Sequence, residues 1–492
     1  MDRRRFLSLS VATGSLLALP VALSRQAFAA SLPSAITDFS ALDLSTAIRA
    51  REVSCVEVMQ AYLTHIHRVN PTYNAIVSLV DDDSLLQQSE QADHELAAGN
   101  YAGWMHGMPH AAKDLTAVEG LVYTSGSPMY ADRVADRDAG WVTRVRNSGA
   151  IFIGKTNSPE FGLGSQTYNP VFGATVSACR PDLTAGGSSG GAASGLGTHM
   201  LPVADGSDMM GSLRNPGAFN NVIGFRPSAG SMNDTPPSSL PLSTGGPMGR
   251  NTADTIQLLN TMRPEPIAGD FTPLDLRGLN IAWLGDLDGY LAMETGILPL
   301  CEAALDSVTD AGAEVDAMQP RFDPNDLWEC WTTLRHSGRA NMLDFYNNPQ
   351  TKALLKPELI WEIEQGMAMT DADVERAQGI RTRWLAELDR MFGGYDFLVL
   401  PTAQVFPFSK DVHWPKYIGL REMDTYHRWM EVVILGSLGG LPIINVPVGF
   451  DAGGRPMGMQ VMGRYGDDKR VLEFGLAYEQ RNDFLGQRPA LA

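Results

Sequence analysis

Two serines and one lysine in this sequence are of types that together can cleave an acyl bond. Ser188 lies in the glycine-rich stretch GGSSGG at 186–191, and Ser212 follows 24 residues later in DGSDMMGSLRNPG. Lys113 lies upstream in GMPHAAKDL, after a short apolar stretch that indicates a strand carrying the lysine inward. Burial would lower the pKa of its ammonium group, so that neutral Lys113 could act as a base. A serine hydroxyl needs such a base before it attacks a carbonyl carbon.

The loop before Ser212 offers donors for the negative charge that develops during acyl transfer. Met209, Met210 and Gly211 present consecutive backbone amides. In a tight turn such amides can point inward together and bind an oxyanion. We therefore predict that these three residues form an oxyanion hole beside Ser212.

The serine doublet also matches two other motifs. A phosphate-binding loop would need a lysine after its glycines, and this stretch has none. The G-x-S-x-G elbow of an α/β-hydrolase fits residues 186–190 and would make Ser188 the nucleophile. An elbow serine needs a later histidine as its base. The later histidines either lie too close in sequence or do not follow a predicted strand, which leaves the elbow as the less favoured alternative: His199, His336, His413 and His427.

Each candidate residue has a simpler role when it is considered alone. Lys113 could be a surface lysine that pairs with Asp114. Ser212 could cap the helix that follows it. Arg214 is expected to pair with an aspartate of the segment 205–208 and brace the loop. The catalytic hypothesis therefore depends on the residues acting as a set.

The balance of charge limits the partners of this chain. The 492 residues include 56 acidic and 38 basic side chains, which gives a formal net charge of -18. Such a surface repels a phosphate backbone, and no basic cluster occurs beyond the first few residues. We therefore expect no nucleic-acid partner. The four cysteines lack the spacing of a zinc site, so neither a metal nor another cofactor is expected.

The first 29 residues are typical of a signal peptide. A basic start precedes a moderately apolar stretch, and AFA at 27–29 fits an A-x-A cleavage site. RRRFL at 3–7 is similar to the twin-arginine pattern R-R-x-F-L, which directs export of folded proteins. Glycine and proline within the stretch argue against an uncleaved membrane anchor. We expect transient contact with the twin-arginine (Tat) export machinery and a periplasmic or secreted mature chain of residues 30–492.

Helix-like and strand-like patterns alternate along residues 30–492. GGAASGLGTHM precedes LPVADGS, for example, and PIINVPVGF and GMQVMGR precede RVLEFGLAYEQ. This alternation predicts an α/β fold with a mixed, largely parallel central sheet covered by helices on both faces. Between about 320 and 392 the pattern is long, mostly helical and polar, which predicts a helical insertion within the single domain.

Four motifs, in this order, resemble the amidase signature family. They are G-M-P-x-x-x-K-D at 107–114, GAIFIGKTNSPEFG at 149–162, GGSSGG at 186–191 and GSDMMGSLRNPGAFNNVIGFRPSAG at 206–230. The interval between Ser188 and Ser212 also equals the spacing in that family. The closing segment LPIINVPVGFDAGGRPMGMQVMGR fits as well, so the resemblance covers nearly the whole mature chain.

The resemblance implies a Ser-cisSer-Lys triad. Ser212 corresponds to the nucleophile that forms the acyl-enzyme, Ser188 to the bridging serine of the cis peptide, and Lys113 to the base that starts the proton relay. The same relay would protonate the leaving amine, because an amide anion is a poor leaving group.

This chain departs from the family pattern just before the nucleophile. Family members commonly have two glycines there, whereas this chain has Met210 followed by Gly211. Methionine keeps the backbone amide but lacks the φ freedom of glycine and adds a bulky thioether. The change therefore bears on the oxyanion geometry and on which acyl group fits.

The function implied by the resemblance is hydrolysis of a C–N amide bond in a small-molecule substrate, giving a carboxylate and ammonia or an amine. Carbamate, ester or aryl-anilide hydrolysis by the same machinery is an alternative. A glutaminase-type subunit of a tRNA amidotransferase is disfavoured by the signal peptide, the acidity and the altered loop. A silent binding protein is disfavoured by the intact triad. The sequence does not define the oligomeric state.

Overall fold

The computed structural model describes residues 35–487. The predicted signal peptide at 1–29 lies outside the described residues. The α-helices of the described part are α1 (Ala41–Arg49), α2 (Cys55–Tyr73), α3 (Asp82–Ala97), α4 (Gly140–Asn147), α5 (Gly190–Gly197), α6 (Arg214–Asn220), α7 (Thr252–Met262), α8 (Ile297–Thr309), α9 (Pro324–Ser337), α10 (Leu343–Asn347), α11 (Pro349–Lys352), α12 (Pro357–Ala368), α13 (Asp371–Phe392), α14 (Ile434–Gly439) and α15 (Asp468–Glu479).

The strands of the described part include several that are only two residues long. They are β1 (Ile76–Val77), β2 (Pro109–Lys113), β3 (Ile151–Thr156), β4 (Tyr168–Asn169), β5 (Gly173–Ala174), β6 (Val203–Asp208), β7 (Ile223–Arg226), β8 (Thr244–Gly249), β9 (Asn280–Trp283), β10 (Glu314–Ala317), β11 (Phe397–Pro401), β12 (Tyr417–Ile418), β13 (Arg421–Glu422), β14 (Ile443–Phe450) and β15 (Pro456–Met462).

Helix α2 shows how the local sequence sets an element. The Ser54 side chain accepts a hydrogen bond from the Glu57 amide, and the Glu57 carboxylate accepts one from the Ser54 amide. This capping box satisfies amides that the first turn leaves unpaired. The helix continues past Pro71 and ends where Asn74 adopts a left-handed conformation.

An eight-stranded mixed sheet forms the centre of the fold, with strand order β10-β9-β11-β15-β14-β7-β8-β6. Helices flank it, so the predicted mixed α/β class is confirmed. The prediction of a largely parallel sheet is wrong. Within the described sheet two pairings are parallel, β9 with β10 and β9 with β11. The other five pairings are antiparallel. Alternation of helix and strand does not fix strand direction, and the five residues between β14 and β15 already suffice for an antiparallel hairpin.

The two parallel pairings depend on helical crossovers. Helix α8 connects β9 to β10, and helices α9 to α13 connect β10 to β11. Between Pro324 and Phe392 the described residues form helices and no strand, as the sequence predicts. The helical segment is therefore the long connection from an edge strand back into the sheet.

A smaller sheet and strand β6 carry residues of the predicted site. Strand β3 pairs in parallel with β2, and Lys113 at the end of β2 lies opposite Thr156. Strand β6 is at one edge of the large sheet, pairs with β8 and ends at Asp208. The two sheets meet where Lys113 contacts the side chain of Asp205 on β6.

A separate group of buried apolar side chains lies beneath the helical segment. We call it the cap cluster, and its buried members are Leu163, Met342, Leu355, Leu359, Ile363 and Tyr426. Phe161 and Trp361 pack against it. The cap cluster therefore joins helix α12 to the loop that follows β3.

Two further properties concern the described part of the chain as a whole. None of its helices combines the length and the apolar content that a membrane span requires. All four cysteines are buried and free, so the possibility of a disulfide that the sequence left open is not realised. Burial raises the pKa of the Cys179 thiol to about 12, which keeps it protonated near neutral pH.

Candidate active site

The ammonium group of Lys113 lies at the centre of a cluster of serine hydroxyls. Its Nζ donates hydrogen bonds to the Oγ atoms of Ser188 at 2.9 Å, Ser189 at 2.8 Å and Ser207 at 3.0 Å. Lys113 is only 1% exposed, so the lysine is not a surface partner of Asp114. Asp114 instead accepts hydrogen bonds from both the amide and the hydroxyl of Thr124.

The burial of Lys113 changes its protonation. Burial lowers the pKa of Lys113 to about 7, against the opposing charges of Asp205 and Asp208. Within residues 35–487 Lys113 Nζ forms no salt bridge that would hold the proton. The Asp205 carboxylate bonds the Lys113 amide and His110 instead. Near neutral pH a large fraction of Lys113 is therefore uncharged and able to accept a proton.

Ser188 is held by an unusual backbone segment. The Gly187–Ser188 peptide bond is cis, and Gly186 has φ of +69°. Ser165 fixes this turn because its hydroxyl donates to the Gly187 carbonyl at 2.7 Å and accepts from the Gly187 amide at 3.1 Å. The segment thus directs the Ser188 hydroxyl toward Lys113.

Ser212 lies on the neighbouring segment, between Gly211 and helix α6. Its carbonyl oxygen accepts a hydrogen bond from the Ser189 amide at 3.3 Å, which places it next to the serine doublet. Ser212 is 8% exposed, and within the described residues its Oγ makes no hydrogen bond. The Ser212 hydroxyl is therefore not committed to a structural partner.

Asp208 anchors the loop that leads to Ser212. Its carboxylate pairs with Arg214 at 2.9 Å and Arg226 at 3.2 Å, and all three side chains are fully buried. Burial alone would raise the pKa of Asp208, but the two guanidinium groups outweigh burial and hold that pKa well below its usual value. The expected pairing of Arg214 with an aspartate of 205–208 is thus present.

The amides predicted to bind an oxyanion are not equivalent. The Gly211 amide donates to the Asp208 carboxylate at 3.0 Å. The amides of Met209 and Met210 make no hydrogen bond within residues 35–487. The Met210 side chain is 5% exposed and belongs to the core beside the large sheet, so its bulk lies in the core rather than in an open pocket. Met209 is only partly buried.

Sequence reasoning missed two hydroxyls of the cluster. Ser189 was expected to be a loop serine that bonds the backbone, and its Oγ does accept from the Ser207 amide at 3.4 Å, but it also accepts from Lys113. Ser207 was not predicted at all. Alternation along β6 puts Ser207 and Asp205 on one face, and both contact Lys113, so the period of two in ADGSD was the available signal.

The α/β-hydrolase alternative required a histidine base for Ser188. In the part of the chain that the structure describes, Ser188 Oγ bonds Lys113 and no histidine. His427 Nδ1 instead contacts the Thr425 hydroxyl at 2.7 Å. The geometry therefore does not support the elbow hypothesis.

One buried group of side chains has the residue types of a metal site. Potential ligand atoms of His336, Glu362 and His427 all lie within 4.8 Å of one another. Both oxygens of Glu362 are already hydrogen-bonded to arginines, Arg335 and Arg339, each at 2.5 Å. A cation placed here would lie beside two guanidinium groups, which opposes its binding.

A buried lysine that is hydrogen-bonded to serine hydroxyls at the junction of two sheets is the arrangement expected of a hydrolase that works by acyl transfer. The family comparison agrees with that class. Residues 57–472 match the family model described as Amidase. The chain belongs to the amidase signature family, whose reaction is hydrolysis of an amide carbon–nitrogen bond.

Individual relatives cover nearly the whole chain. An acylamidase from Rhodococcus erythropolis is 30% identical over 92% of this chain and 97% of its own length. A glutamyl-tRNA(Gln) amidotransferase subunit from Thermus thermophilus is 31% identical over 89% of this chain and 97% of its own. The solved structure of a bacterial aryl acylamidase of the amidase signature family superposes with a TM-score of 0.83 at 24% identity, covering 92% of this chain and 99% of that chain.

Proposed function

We propose that this protein hydrolyses small-molecule amides through an acyl-enzyme on Ser212, with Lys113 as the base and Ser188 as the bridge between them. The observation that carries the proposal is the 2.9 Å hydrogen bond from Lys113 Nζ to Ser188 Oγ, made by a lysine whose pKa is about 7. Such a lysine can take a proton from a hydroxyl without help from histidine.

In the acylation step, the Ser188 hydroxyl passes its proton to neutral Lys113 and receives the proton of Ser212. The Ser212 oxygen attacks the substrate carbonyl carbon and forms a tetrahedral intermediate. The relay then returns a proton to the amide nitrogen, the C–N bond breaks, and ammonia or an amine leaves. In deacylation water repeats the attack, Ser212 regains its proton, and a carboxylate is released.

The tetrahedral intermediate needs donors for its oxyanion. We assign this role mainly to the amides of Met209 and Met210, because the Gly211 amide is bonded to Asp208. Backbone amides that are already fixed stabilise the oxyanion without reorganising during the reaction. Of the three residues predicted to form the oxyanion hole, Met209 and Met210 are therefore proposed as the two principal donors.

The surroundings of Ser188 favour a substrate with an apolar, aromatic-sized group. A Cβ placed on Gly162 would lie 3.4 Å from Ser188 Oγ, so this glycine borders the site directly. The preceding residue, Phe161, packs against the cap cluster, and its ring lies 6.1 Å from that of Tyr130. Apolar and aromatic side chains thus begin one residue away from Gly162, the glycine that borders Ser188. We infer that they receive the acyl or the amine part of the substrate.

The first test is a hydrolysis screen over primary aliphatic, aromatic, peptide C-terminal and anilide amides, together with matched esters and carbamates. We expect turnover of amides with an aromatic group, and loss of roughly 1000-fold or more of kcat/KM in Ser212→Ala. A labelled phosphonate should be found on Ser212. Full amide turnover by Ser212→Ala, or label on Ser188, would overturn the nucleophile assignment.

Some relatives are amidotransferase subunits, so one assay should distinguish an amidase from a glutaminase-type subunit. An amidase acts alone and releases the carboxylate and amine from simple amides. A glutaminase-type subunit would act best on glutamine and would depend on partner subunits. We expect the isolated chain to be active on aromatic amides and to be inactive on glutamine.

We further propose that the protein is exported by the twin-arginine route. The support for this is the sequence of residues 1–29, with RRRFL at 3–7 and an A-x-A pattern at 27–29. Cell fractionation should find the mature chain in the periplasm or medium, and replacing Arg3 and Arg4 together with lysine should retain it in the cytoplasm. Export of that variant at the normal rate would argue against the route.

A further inference from the structure

A polar contact links the helical segment to the loop that precedes Ser212. Nη1 of Arg335, on helix α9, lies 3.2 Å from the thioether sulfur of Met209. The two residues are 126 positions apart in the chain. We call residues 209–213, which include the amides proposed to bind the oxyanion, the oxyanion loop. Met209 is its first residue, so a side chain from the helices reaches the edge of the proposed catalytic centre.

Arg335 is itself rigidly held. Its Nε donates to Glu362 Oε1 at 2.5 Å, and its Nη2 donates to the Tyr426 hydroxyl at 2.9 Å. The Tyr426 hydroxyl in turn donates to the same Glu362 oxygen at 2.5 Å, and Arg339 bonds the other oxygen. Arg335, Glu362 and Tyr426 are all less than a tenth exposed. A planar guanidinium fixed at two nitrogens, Nε and Nη2, has little freedom to move.

Hydrogen bonds hold one end of the oxyanion loop more firmly than the other. The contact between Arg335 and Met209 is at the less firmly held end. At its far end, the Gly211 and Leu213 amides are both bonded to the Asp208 carboxylate. The Met209 and Met210 amides have no partner within residues 35–487. Among the described residues, Arg335 makes the polar contact with the Met209 side chain.

We propose that Arg335 is a positioning residue that orients the oxyanion loop through Met209. It does not touch the reacting atoms. Its guanidinium, fixed by Glu362 and Tyr426, holds the Met209 side chain, and the adjacent amides keep the orientation that the intermediate requires. Small displacements of such groups are costly, because a shift of about 1 Å can lower a rate by roughly 100-fold. This inference rests on the proposed function of the Ser212 loop.

The test is a double-mutant cycle in kcat between Arg335 and Met209, measured with the full chain on its best amide substrate. Met209→Leu keeps the apolar character and the approximate volume of the side chain and removes the sulfur. We expect Met209→Leu and Arg335→Gln each to lower kcat by roughly 10- to 100-fold, with KM changed less than about 3-fold. The double variant should lose little more than either single variant, because both remove the same contact.

Arg339→Gln is the matched control, because Arg339 bonds Glu362 as Arg335 does but does not contact Met209. It should lower thermal stability about as much as Arg335→Gln while kcat falls far less. Arg335→Lys keeps a positive charge beside Glu362 and covers the case in which the glutamine variant fails to fold. We expect it to fold and still lose kcat, since lysine lacks the planar fork.

Two results would overturn the inference. One is a kcat loss in Arg335→Gln that merely parallels its loss of stability and equals that of Arg339→Gln. The other is independent, multiplying effects of the Arg335 and Met209 changes on kcat. Either result with an inactive Ser212→Ala leaves the proposed function intact, whereas an active Ser212→Ala removes the proposed function itself.

Discussion

The Asp208 carboxylate accepts a hydrogen bond from the Gly211 amide at 3.0 Å, immediately before the serine that we assign as nucleophile. The same carboxylate pairs with two buried arginines, so the turn is attached to the core of the fold. The Gly211 amide therefore has a structural role. In the proposed mechanism, the amides of the two preceding residues therefore stabilise the negative charge of the intermediate.

Replacing Gly211 with alanine should lower the activity of the enzyme. Gly211 has φ of +79°, and an added Cβ would lie 1.9 Å from Asn215 Oδ1 and 3.0 Å from a methyl group of Val433. We expect kcat to fall by roughly 10-fold or more, because the loop that carries Ser212 must shift. The measurement is steady-state kinetics together with thermal unfolding.

Gly454 provides the matched control for backbone strain. It has φ of +72°, and an added Cβ would meet nothing within 4 Å. Gly454→Ala should cost about 1–2 kcal/mol of unfolding free energy, the cost of an L-residue in this conformation, with kcat unchanged. Equal kcat for Gly211→Ala and wild type would contradict the tight geometry of the loop.

Asp208→Asn should be one of the most destabilising single changes in the chain. It removes the negative charge that two fully buried arginines share, and breaking a buried ion pair from one side costs about 3–5 kcal/mol. Urea unfolding followed by circular dichroism measures the change. Glu329→Gln, at an exposed pair with Arg376, should change the unfolding free energy by less than about 1 kcal/mol. Similar losses in the two variants would refute this account of Asp208.

The sequence indicated which residues lie together in the candidate site more clearly than it indicated the architecture. Lys113, Ser188 and Ser212 lie within short motifs whose spacing is readable, and the structure joins Lys113 to Ser188 and places Ser212 on the adjoining segment. The sequence did not indicate the direction of the strands, because helices and strands alternate in the same way in mixed and in parallel sheets. The sequence did not indicate the contact of Arg335 with Met209 either, because the two residues are 126 positions apart and meet only through tertiary packing.

The pH dependence of catalysis should report the protonation of Lys113. Burial lowers its pKa to about 7, and only the neutral amine accepts the serine proton. We therefore expect kcat/KM to rise with pH through a midpoint near 7 and to level off above it. The profile should be measured between pH 5.5 and 9 with a substrate that does not titrate in that range.

Lys155 is the control for this assignment. It is also buried, and burial lowers its pKa to about 8, but its Nζ donates to the Thr116 carbonyl and not to a serine hydroxyl. Lys155→Met should keep the midpoint near 7, whereas Lys113→Met should lose nearly all activity. A midpoint that moves with Lys155 would show that the wrong lysine was assigned.

The same lysine should make the stability of the protein depend on pH. Between pH 7 and 10.5 the unfolded chain holds a proton on Lys113 that the folded chain has released, because burial has lowered the pKa from 10.5 to about 7. The unfolded state then binds more protons, so stability attributable to this group rises with pH across that window and is constant below it. Relative to Lys113→Met, the unfolding free energy of the wild type should rise by up to about 1.4 kcal/mol per pH unit. Urea unfolding of both proteins at pH 6, 8 and 9.5 measures this difference, and a difference that stays flat from pH 8 to 9.5 would mean that Lys113 is charged in the folded protein and is not the base.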